Sequence, residues 1–309
     1  MLFSYLGPRG TFTQAALATL EPNEEAHVPA VDVPAALAMV RAGEVDYAVV
    51  PIENSIEGGV NATLDTLSHG PSLWITAEIL VPVTFVLAAA SERSLDSVRR
   101  IATHPHAWAQ CRGWMSEHLG EVIHVPATST AAGAKHVASG DSEVDAVLCS
   151  AMSAQQYGLT VLADGVGDNP DAVTRFICVG VAGGPLPEQT GADKTTLQVQ
   201  LPSDESGALL SMLEQFAVRG VNLSRIESRP LGDSLGRYAF SIDCEGHILD
   251  ERVQAALIGL HRTCPSVRFL GSYPRADGRK AQLRPGTADQ DFASARDWIG
   301  QILASTRED

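Results

Sequence analysis

A segment rich in glycine and proline, residues 180–187, divides this sequence into two stretches with different patterns. It reads GVAGGPLP, a composition typical of a linker. A chain of 309 residues is also longer than one ordinary hydrophobic core requires. We therefore predict one domain at residues 1–182, a second at residues 193–273 and a C-terminal extension at residues 274–309.

The first stretch alternates strand-like runs with helical patterns, which predicts α/β layers around largely parallel sheets. Apolar runs predict strands at residues 2–6, 47–50, 73–80, 83–89, 98–103, 122–125, 146–149, 160–163 and 176–181. Helical spacing predicts helices at residues 13–20, 33–41, 107–118, 131–139 and 152–157. In such sheets ligands bind beyond the carboxyl ends of strands, where helix N-termini offer backbone N–H groups. We therefore expect the polar turns at residues 7–11, 51–55 and 126–130 to converge on one cleft.

The second stretch has a different order of elements. Alternation of apolar residues predicts strands near residues 197–201, 223–231, 238–244 and 267–270. Helical spacing predicts helices near residues 209–217 and 253–260, with Gly220 at a helix C-cap and Asp250 at an N-cap. The order βαββαβ over roughly 80 residues fits a ferredoxin-like α+β domain. Beyond it, an apolar stripe from Phe292 to Leu303 predicts either a docked terminal helix or a frayed surface tail.

Charge and composition limit the classes of partner. The formal net charge of −15 argues against a nucleic-acid backbone or an anionic membrane as a partner. An anionic substrate would need a site that is locally positive or rich in amide donors. The apolar stretch at residues 75–90 is interrupted by Glu78 and Pro82 and is shorter than the ~20 residues of a spanning helix. Residues 1–7 lack the basic and apolar regions of a secretion signal, so we expect a cytosolic protein.

Familiar catalytic signatures are missing from the sequence. It contains no GxGxxG after a strand, no GxxxxGK[ST] and no HExxH, which disfavours nucleotide-binding and zincin functions. His104 and His106 have the spacing of metal ligands, but a pair without a third ligand is a weak signal. The five cysteines are scattered and form no CxxC pair, so we expect reduced, buried thiols.

Several blocks, taken together and in order, resemble the prephenate dehydratase family. They are GPRGTF at residues 7–12, VPIENSIEG at 50–58, HPHAWAQC at 104–111, STAA at 129–132 and the segment from Asp168 to the Thr-Arg-Phe triplet at 174–176. In the second domain, GALL at 207–210 and ESRP at 227–230 resemble the two effector motifs of a phenylalanine-sensing ACT domain. Two positions depart from the family, which usually has glutamine at His106 and asparagine at Ala172.

The resemblance implies a two-lobed, periplasmic-binding-protein-like catalytic region followed by a ferredoxin-like ACT domain. It also implies that prephenate loses carbon dioxide and water to become phenylpyruvate. The ring becomes aromatic, so neither a redox cofactor nor a metal is chemically required. Thr174 would donate a hydrogen bond to the leaving oxygen. Arg175 would either grip a substrate carboxylate or pair with a nearby acid, because adjacent strand residues face opposite ways.

On the same resemblance, hydroxyl, amide and backbone N–H groups would bind the substrate's carboxylates. The candidates are Thr11, Asn54, Ser55, Ser129 and Thr130. These residue types are also favoured as helix caps, and capping is compatible with anion binding because both use a helix start. A carboxylate at Glu53 would repel an anionic substrate, so we expect Glu53 to be structural.

The effector would be phenylalanine, bound at the second domain as an allosteric regulator. Gly207 permits close backbone approach at a helix start, which suits the effector's carboxylate. Asn222 and Glu227 would add polar contacts. The remaining candidates are Ala208, Leu209, Leu210, Ser228, Arg229 and Pro230. Because such a domain has an exposed sheet edge, we expect a homo-oligomer, at least a dimer, with effector sites at the interface.

Two alternatives remain open at this point. Arogenate differs from prephenate by one ammonium group in place of one keto oxygen, and the same residues would serve it. A non-catalytic amino-acid sensor built on a two-lobed fold would also place polar turns at a cleft. Two observations argue against the sensor: the sequence lacks a basic patch, and it contains the Thr-Arg-Phe triplet at 174–176. We do not expect an added chorismate mutase domain.

Overall fold

The structure is a computed structural model that describes residues 1–140, 143–202, 205–230 and 238–305. Its chain forms two compact units. The first comprises residues 1–66 and 79–179, and the second comprises residues 67–78 and 180–309. Residues 67–78 belong to the second unit although they lie far before the linker at 180–187, a feature that the sequence pattern did not indicate.

Strands and helices alternate through most of the described chain. The strands are β1 (Phe3–Leu6), β2 (His27–Ala30), β3 (Tyr47–Asn54), β4 (Gly58–Gly59), β5 (Leu73–Pro82), β6 (Val86–Ala89), β7 (Arg100–Thr103), β8 (Ile123–Pro126), β9 (Ala146–Cys149), β10 (Thr160–Ala163), β11 (Val173–Val181), β12 (Asp193–Gln200), β13 (Leu223–Pro230), β14 (Tyr238–Glu245) and β15 (Ser266–Pro274). The α-helices are α1 (Phe12–Leu20), α2 (Val33–Ala42), α3 (Asn61–Ser68), α4 (Pro105–Gln110), α5 (Arg112–His118), α6 (Thr130–Ala138), α7 (Ala151–Gln156), α8 (Ala208–Ala217), α9 (Glu251–Thr263) and α10 (Asp289–Ser305). Short 3-10 turns lie at Glu24–Ala26 and Leu95–Ser97.

Two sheets are built largely from strands of the first unit. One has the strand order β2-β1-β3-β11-β5, with β4 paired to β3, and β1 runs parallel to both β2 and β3. The other has the order β10-β6-β9-β7-β8. In it β7 runs parallel to β8 and β9, whereas β6 runs antiparallel to β9 and β10. The predicted α/β class is confirmed, but the second sheet is mixed rather than largely parallel.

Burial explains why the strands of the first unit were readable. All four residues of β9 are buried, as expected for a strand covered on both faces, and such strands appear as continuous apolar runs. The side chains of Tyr5, Leu37, Leu87 and Ile101 are fully buried and fill the core around the two sheets. Helices α1, α2 and α6 each present an apolar stripe to these sheets, as their spacing predicted.

Strand β2 and helix α3 were not predicted, and one predicted helix is divided. Strand β2 contains Pro29, which weakens a strand signal and is tolerated here because β2 lies at a sheet edge. Helix α3 is largely polar, with Thr63, Leu64 and Leu67 buried. The helix predicted at residues 107–118 is interrupted at Cys111, where the backbone leaves helical geometry before α5 begins.

The second unit confirms the predicted βαββαβ order. Its four-stranded sheet has the order β13-β14-β12-β15, and all the pairings are antiparallel. Helices α8 and α9 pack on it through a core that includes Leu197, Met212, Phe216, Ile242 and Val253. This strand order and the two crossing helices are those of a ferredoxin-like α+β fold.

Two local predictions in this unit need adjustment, and a third falls outside the described residues. Asp250 occupies the N-cap position of α9, but its carboxylate accepts the backbone N–H of His247 instead of a helix N–H. Helix α8 ends at Ala217 with Val218 as C-cap, so Gly220 follows two residues later, with a φ of +67°. Leu231, the predicted end of β13, lies outside the described residues.

The C-terminal stripe forms helix α10, and residues 306–309 lie outside the described part of the chain. The Arg296 guanidinium pairs with the Glu251 carboxylate at the start of α9, so the helix touches the body of the second unit. The apolar side chains of the stripe remain largely exposed, with Trp298 at 60%. In the part of the chain that is described, no helix combines the length and apolarity required to cross a membrane.

Candidate active site

A cavity of about 940 Å³ in the first unit collects the polar turns that follow its strands. Leu6, Asn54, His104 and Thr128 line it, and each stands at or just after the carboxyl end of a strand. Residues from the connections of both sheets contribute to the lining. The three turns expected to converge, at residues 7–11, 51–55 and 126–130, all supply lining residues.

The first turn is shaped by Gly10 and Thr11. Thr11 is the N-cap of α1: its hydroxyl oxygen accepts the N–H of Gln14 at 3.3 Å, and the hydroxyl donates to the Leu6 carbonyl at 3.0 Å. Gly10 has a φ of +86°, and a Cβ there would lie 3.1 Å from the hydroxyl of Ser153. Glycine is therefore required, and the turn places the buried Thr11 side chain on the cavity wall.

The second turn joins Asn54 to Thr174 of strand β11. The Asn54 carbonyl oxygen accepts the backbone N–H groups of Ile56 and Glu57 at 2.8 and 3.2 Å. These bonds orient the amide, whose NH2 group donates to the Thr174 hydroxyl oxygen at 2.9 Å. That bond uses a lone pair of the oxygen, so the hydroxyl proton of Thr174 stays available for donation. Both Asn54 and the buried Thr174 line the cavity.

Ser55 and Arg175 lie outside the cavity lining. The backbone N–H of Ser55 donates to the Val173 carbonyl at 2.9 Å, and its hydroxyl accepts the Val173 N–H at 3.0 Å. Ser55 therefore fastens the end of β3 to the start of β11. Arg175 faces the opposite side of β11 from Thr174, and its buried guanidinium lies 3.4 Å from the Glu53 carboxylate. The structure brings Thr174 to the cavity and gives Arg175 and Glu53 a mutual ion pair.

The third turn leads into helix α6. The Ser129 hydroxyl caps the helix by accepting the N–H of Ala132 at 3.0 Å, and Thr130 is the first helical residue. Both residues line the cavity. A helix N-terminus carries partial positive charge and unpaired N–H groups. This wall of the cavity is therefore suited to a carboxylate.

A histidine pair occupies one side of the cavity. His104 is the N-cap of α4, and its Nδ1 accepts the N–H of His106 at 3.3 Å. Burial, together with the neighbouring His106, lowers the pKa of His104 below that of an ordinary histidine. The Nδ1 atom of His106 lies 2.5 Å from a carboxylate oxygen of Glu57. Among the described residues, no group of three or more His, Cys, Asp or Glu side chains is arranged to hold a metal ion.

Comparison with known proteins identifies the family. The family model described as prephenate dehydratase matches residues 3–183. A prephenate dehydratase of Amycolatopsis methanolica is 42% identical over 299 residues, which is 97% of each chain. This chain belongs to the prephenate dehydratase family. Another prephenate dehydratase, from Mycolicibacterium vanbaalenii, is 46% identical over 288 residues, or 89% of this chain and 91% of that protein.

A solved prephenate dehydratase structure has the same fold over nearly the whole chain. The crystal structure of the Arthrobacter aurescens enzyme, in complex with L-Phe, matches with a TM-score of 0.94 and 54% identity. The match covers 98% of this chain and 100% of that one. The likeness therefore includes the ferredoxin-like unit as well as the family-model region.

The lining of the cavity also includes residues that the sequence analysis missed. Arg9 and Lys135 supply cations, and they provide the local positive charge that a strongly acidic chain needs for an anionic substrate. Three aromatic rings supply apolar surface: Phe12, Phe85 and Phe176. Arg9 and Phe12 lie inside the first block of the resemblance, so that block contained the signal. Lys135 follows Thr130 by five residues on α6, where helical spacing alone did not distinguish it from an ordinary surface lysine.

Asp168 explains how the block before Thr174 is held. Its carboxylate accepts the backbone N–H groups of Gly113 and Trp114, each at 2.9 Å, at the start of α5. A Cβ at Gly113 would lie 2.9 Å from that carboxylate, so the close approach requires glycine. The Asp168 N–H in turn donates to the Gln110 carbonyl at 2.7 Å. Asp168 thus anchors the segment that leads into β11, a role that the motif alone did not reveal.

The effector candidates do not lie together in the second unit. Gly207 is the N-cap of α8, with a φ of +90° and open space around it, and Leu210 is 60% exposed. Strand β13, which carries Glu227 to Pro230, lies at an edge of the sheet.

Asn222 instead lines a cavity of about 780 Å³ beyond the C-terminal end of α8. Four basic side chains line that cavity as well: Arg275, Arg279, Lys280 and Arg284. None of the residues 207–210 or 227–230 lines it, so within one chain the candidates do not form a single pocket.

Proposed function

We propose that this chain converts prephenate to phenylpyruvate in the cavity of the first unit, as a step of phenylalanine biosynthesis. Membership of the prephenate dehydratase family supports this activity. The single observation that carries the assignment to this site is the Thr174 hydroxyl. It lies on the cavity wall and is oriented by Asn54, with its proton free to donate.

The reaction needs a hydrogen-bond donor and a place for two carboxylates. The ring carboxylate leaves as carbon dioxide, and its bonding electron pair enters the ring as the C–O bond to the ring hydroxyl breaks. The departing oxygen gains negative charge and takes up one proton, supplied by solvent, to become water. Thr174 donates a hydrogen bond to this oxygen, where charge develops in the transition state.

The walls of the cavity suit the rest of the substrate. Arg9, Lys135 and the N-terminus of α6 at Ser129 and Thr130 provide positive charge for the carboxylates. Thr11 and Asn54 add polar contacts from the other wall. The three phenylalanine rings bound the space in which an aromatic product forms. In this proposal Ser55 and Arg175 act indirectly, by holding β11 in place.

L-Phenylalanine is the proposed effector. The related Arthrobacter aurescens enzyme was crystallised in complex with L-Phe. Exposed motif residues at the start of α8 and on the edge strand β13 are suited to a site completed by a second copy of the chain. We therefore propose a homo-oligomer in which Gly207 of one subunit approaches Asn222 and Glu227 of another. The limits of this regulatory domain, residues 193–273, and a cytosolic location are part of the same proposal.

The deciding experiment measures phenylpyruvate formation from prephenate, by ultraviolet absorbance after alkali, with and without L-phenylalanine. Thr174→Val removes the hydroxyl while keeping the shape, and we expect kcat to fall by about 10²-fold to 10³-fold. Thr174→Ser keeps the hydroxyl and should retain most of the activity. Arogenate serves as the alternative substrate in the same assay. A folded wild-type protein that binds prephenate and turns over neither substrate would favour the non-catalytic sensor.

A further inference from the structure

His106 and Glu57 connect the two sheets of the first unit across the cavity. Glu57 follows strand β3 of the first sheet, whereas His106 lies on α4, which follows β7 of the second sheet. The His106 Nδ1 atom lies 2.5 Å from one Glu57 oxygen, and the Gln110 side-chain amide donates to the other at 3.2 Å. Glu57 is therefore held by two side chains of the same short helix.

A continuous set of hydrogen bonds leads from this contact to Thr174. The backbone N–H of Glu57 donates to the Asn54 carbonyl oxygen, and the Asn54 amide donates to the Thr174 hydroxyl. The position of Glu57 therefore affects the turn that aims the Asn54 amide. Glu57 lies on the turn that follows β3, and His106 and Gln110 lie near the two ends of the short helix α4, where the backbone has more freedom than within a strand.

The contact between His106 and Glu57 depends on the charge of the imidazole. Histidine is the side chain whose charge changes near neutral pH, and only the protonated ring makes a charge-assisted bond to a carboxylate. His104 stacks edge-on to His106, with ring centroids 4.7 Å apart, and its lowered pKa favours the neutral form. The other charged or titratable side chains of the cavity lining are Arg9, Lys135 and His136. Glu57 is thus the anion that faces His106.

We propose that His106 is a positioning residue, which through Glu57 and the Asn54 turn holds the Asn54 amide against Thr174. This inference rests on the proposed function for its kinetic consequences. Glutamine also carries an N–H donor, but its donor does not titrate. The histidine therefore gives this chain a positioning contact that weakens as the pH rises.

The experiment compares His106→Gln and His106→Leu with the wild type across a pH series. We expect His106→Leu to lower kcat about five- to tenfold with a smaller change in KM, because the contact is partly exposed to solvent. His106→Gln should keep kcat near the wild-type value at neutral pH, and we expect its activity to depend less on pH, because the glutamine amide does not titrate. His118→Gln is the matched control. Its ring stacks on Trp114 away from the cavity, so its pH profile should follow the wild type.

A second measurement does not depend on turnover. The amide N–H groups of Ile56 and Glu57, which bond to Asn54, should exchange with deuterium faster in His106→Leu than in wild type or His106→Gln. Faster exchange in a protein that does not turn over prephenate would uphold the positioning role and reject the proposed function. If His106→Leu turned over prephenate with the same kcat, pH profile and amide exchange rates as the wild type, the inference would be overturned and the proposed function would stand.

Discussion

The side-chain amide of Asn54 donates a hydrogen bond to the hydroxyl of Thr174 across 2.9 Å, and both side chains line the cavity. The side-chain carbonyl oxygen of Asn54 accepts two backbone N–H groups, and these bonds orient the amide so that its NH2 group faces Thr174. Asn54→Asp reverses the bond, since a carboxylate only accepts and would take the Thr174 proton as its own hydrogen bond. The leaving oxygen would then lose its donor.

We therefore expect Asn54→Asp to lower kcat by about 10²-fold, in the range found when one transition-state donor is removed. Steady-state turnover of prephenate measures this. Asn23→Asp is the control, because aspartate caps a helix as well as asparagine does and the residue lies outside the cavity lining. An Asn54→Asp enzyme with kcat within twofold of wild type would show that the Thr174 proton is not the donor.

The cations of the cavity predict a salt-dependent Michaelis constant. Arg9 and Lys135 are exposed side chains at its wall, so their attraction for a dianion is partly screened by solvent. We expect Arg9→Gln and Lys135→Gln each to raise KM about three- to tenfold, with the larger effect at low ionic strength. Arg262→Gln, on the exposed face of α9, is the control of equal charge change. If KM changed neither with these substitutions nor with salt concentration, Arg9 and Lys135 would not bind the substrate's carboxylates.

Motif blocks located the cavity because each block falls at the end of a strand, where parallel topology brings distant turns together. Thr11, Asn54, Ser129, Thr130 and Thr174 were all predicted and all line it. Ser55 and Arg175 were predicted from the same blocks but face away, since neighbouring residues in extended chain point in opposite directions. The alternation of side chains predicts that only one residue of each adjacent pair, Asn54 or Ser55 and Thr174 or Arg175, faces the cavity. It does not indicate which one.

Other features depended on contacts between residues far apart in sequence. The helix predicted at residues 107–118 is in fact two helices, and the Asp168 carboxylate caps the start of the second, α5. No local sequence pattern indicates this contact. Nor does any local pattern place Glu57 against His106, because 49 positions separate them. The βαββαβ unit, in contrast, follows from apolar periodicity along each of its elements, which is why its order was readable throughout.

Burial of the thiols predicts that three cysteines are chemically inert in the native protein. Burial raises the pKa of Cys111, Cys149 and Cys244 to about 12 each, with the Asp168 carboxylate adding to the effect at Cys111. Because the thiolate is the reactive form, we expect iodoacetamide at pH 8 to leave these three unmodified until the chain is unfolded. Mass spectrometry of the alkylated protein, with and without urea, measures this. Rapid native labelling of Cys111 would mean that α4 and α5 open readily.

Asp145 predicts a defined loss of stability in acid. One oxygen of its carboxylate accepts the N–H groups of Arg99 and Arg100, each at 2.9 Å, and the other accepts from the Arg93 guanidinium at 2.7 Å. Burial alone would raise the pKa of Asp145, but these hydrogen bonds outweigh it and lower the pKa. The carboxylate therefore stabilises the fold fully at pH values above the ordinary aspartate pKa of about 3.9, and this contribution is lost as the pH falls through the lower, folded value.

Asp145→Asn should reduce the free energy of unfolding by about 1–2 kcal/mol at pH 7, because the neutral amide replaces charge-assisted bonds with weaker ones. The difference between variant and wild type should shrink as the pH falls below about 4 and on through the lower pKa of the folded protein, where the wild-type carboxyl also becomes neutral. Urea unfolding at a series of pH values measures it. Asp96→Asn, in the exposed turn at Leu95–Ser97, is the control, and its small effect should not vary with pH in this way. A difference for Asp145→Asn that persists unchanged at pH 2 would mean that the side chain acts by shape rather than by charge.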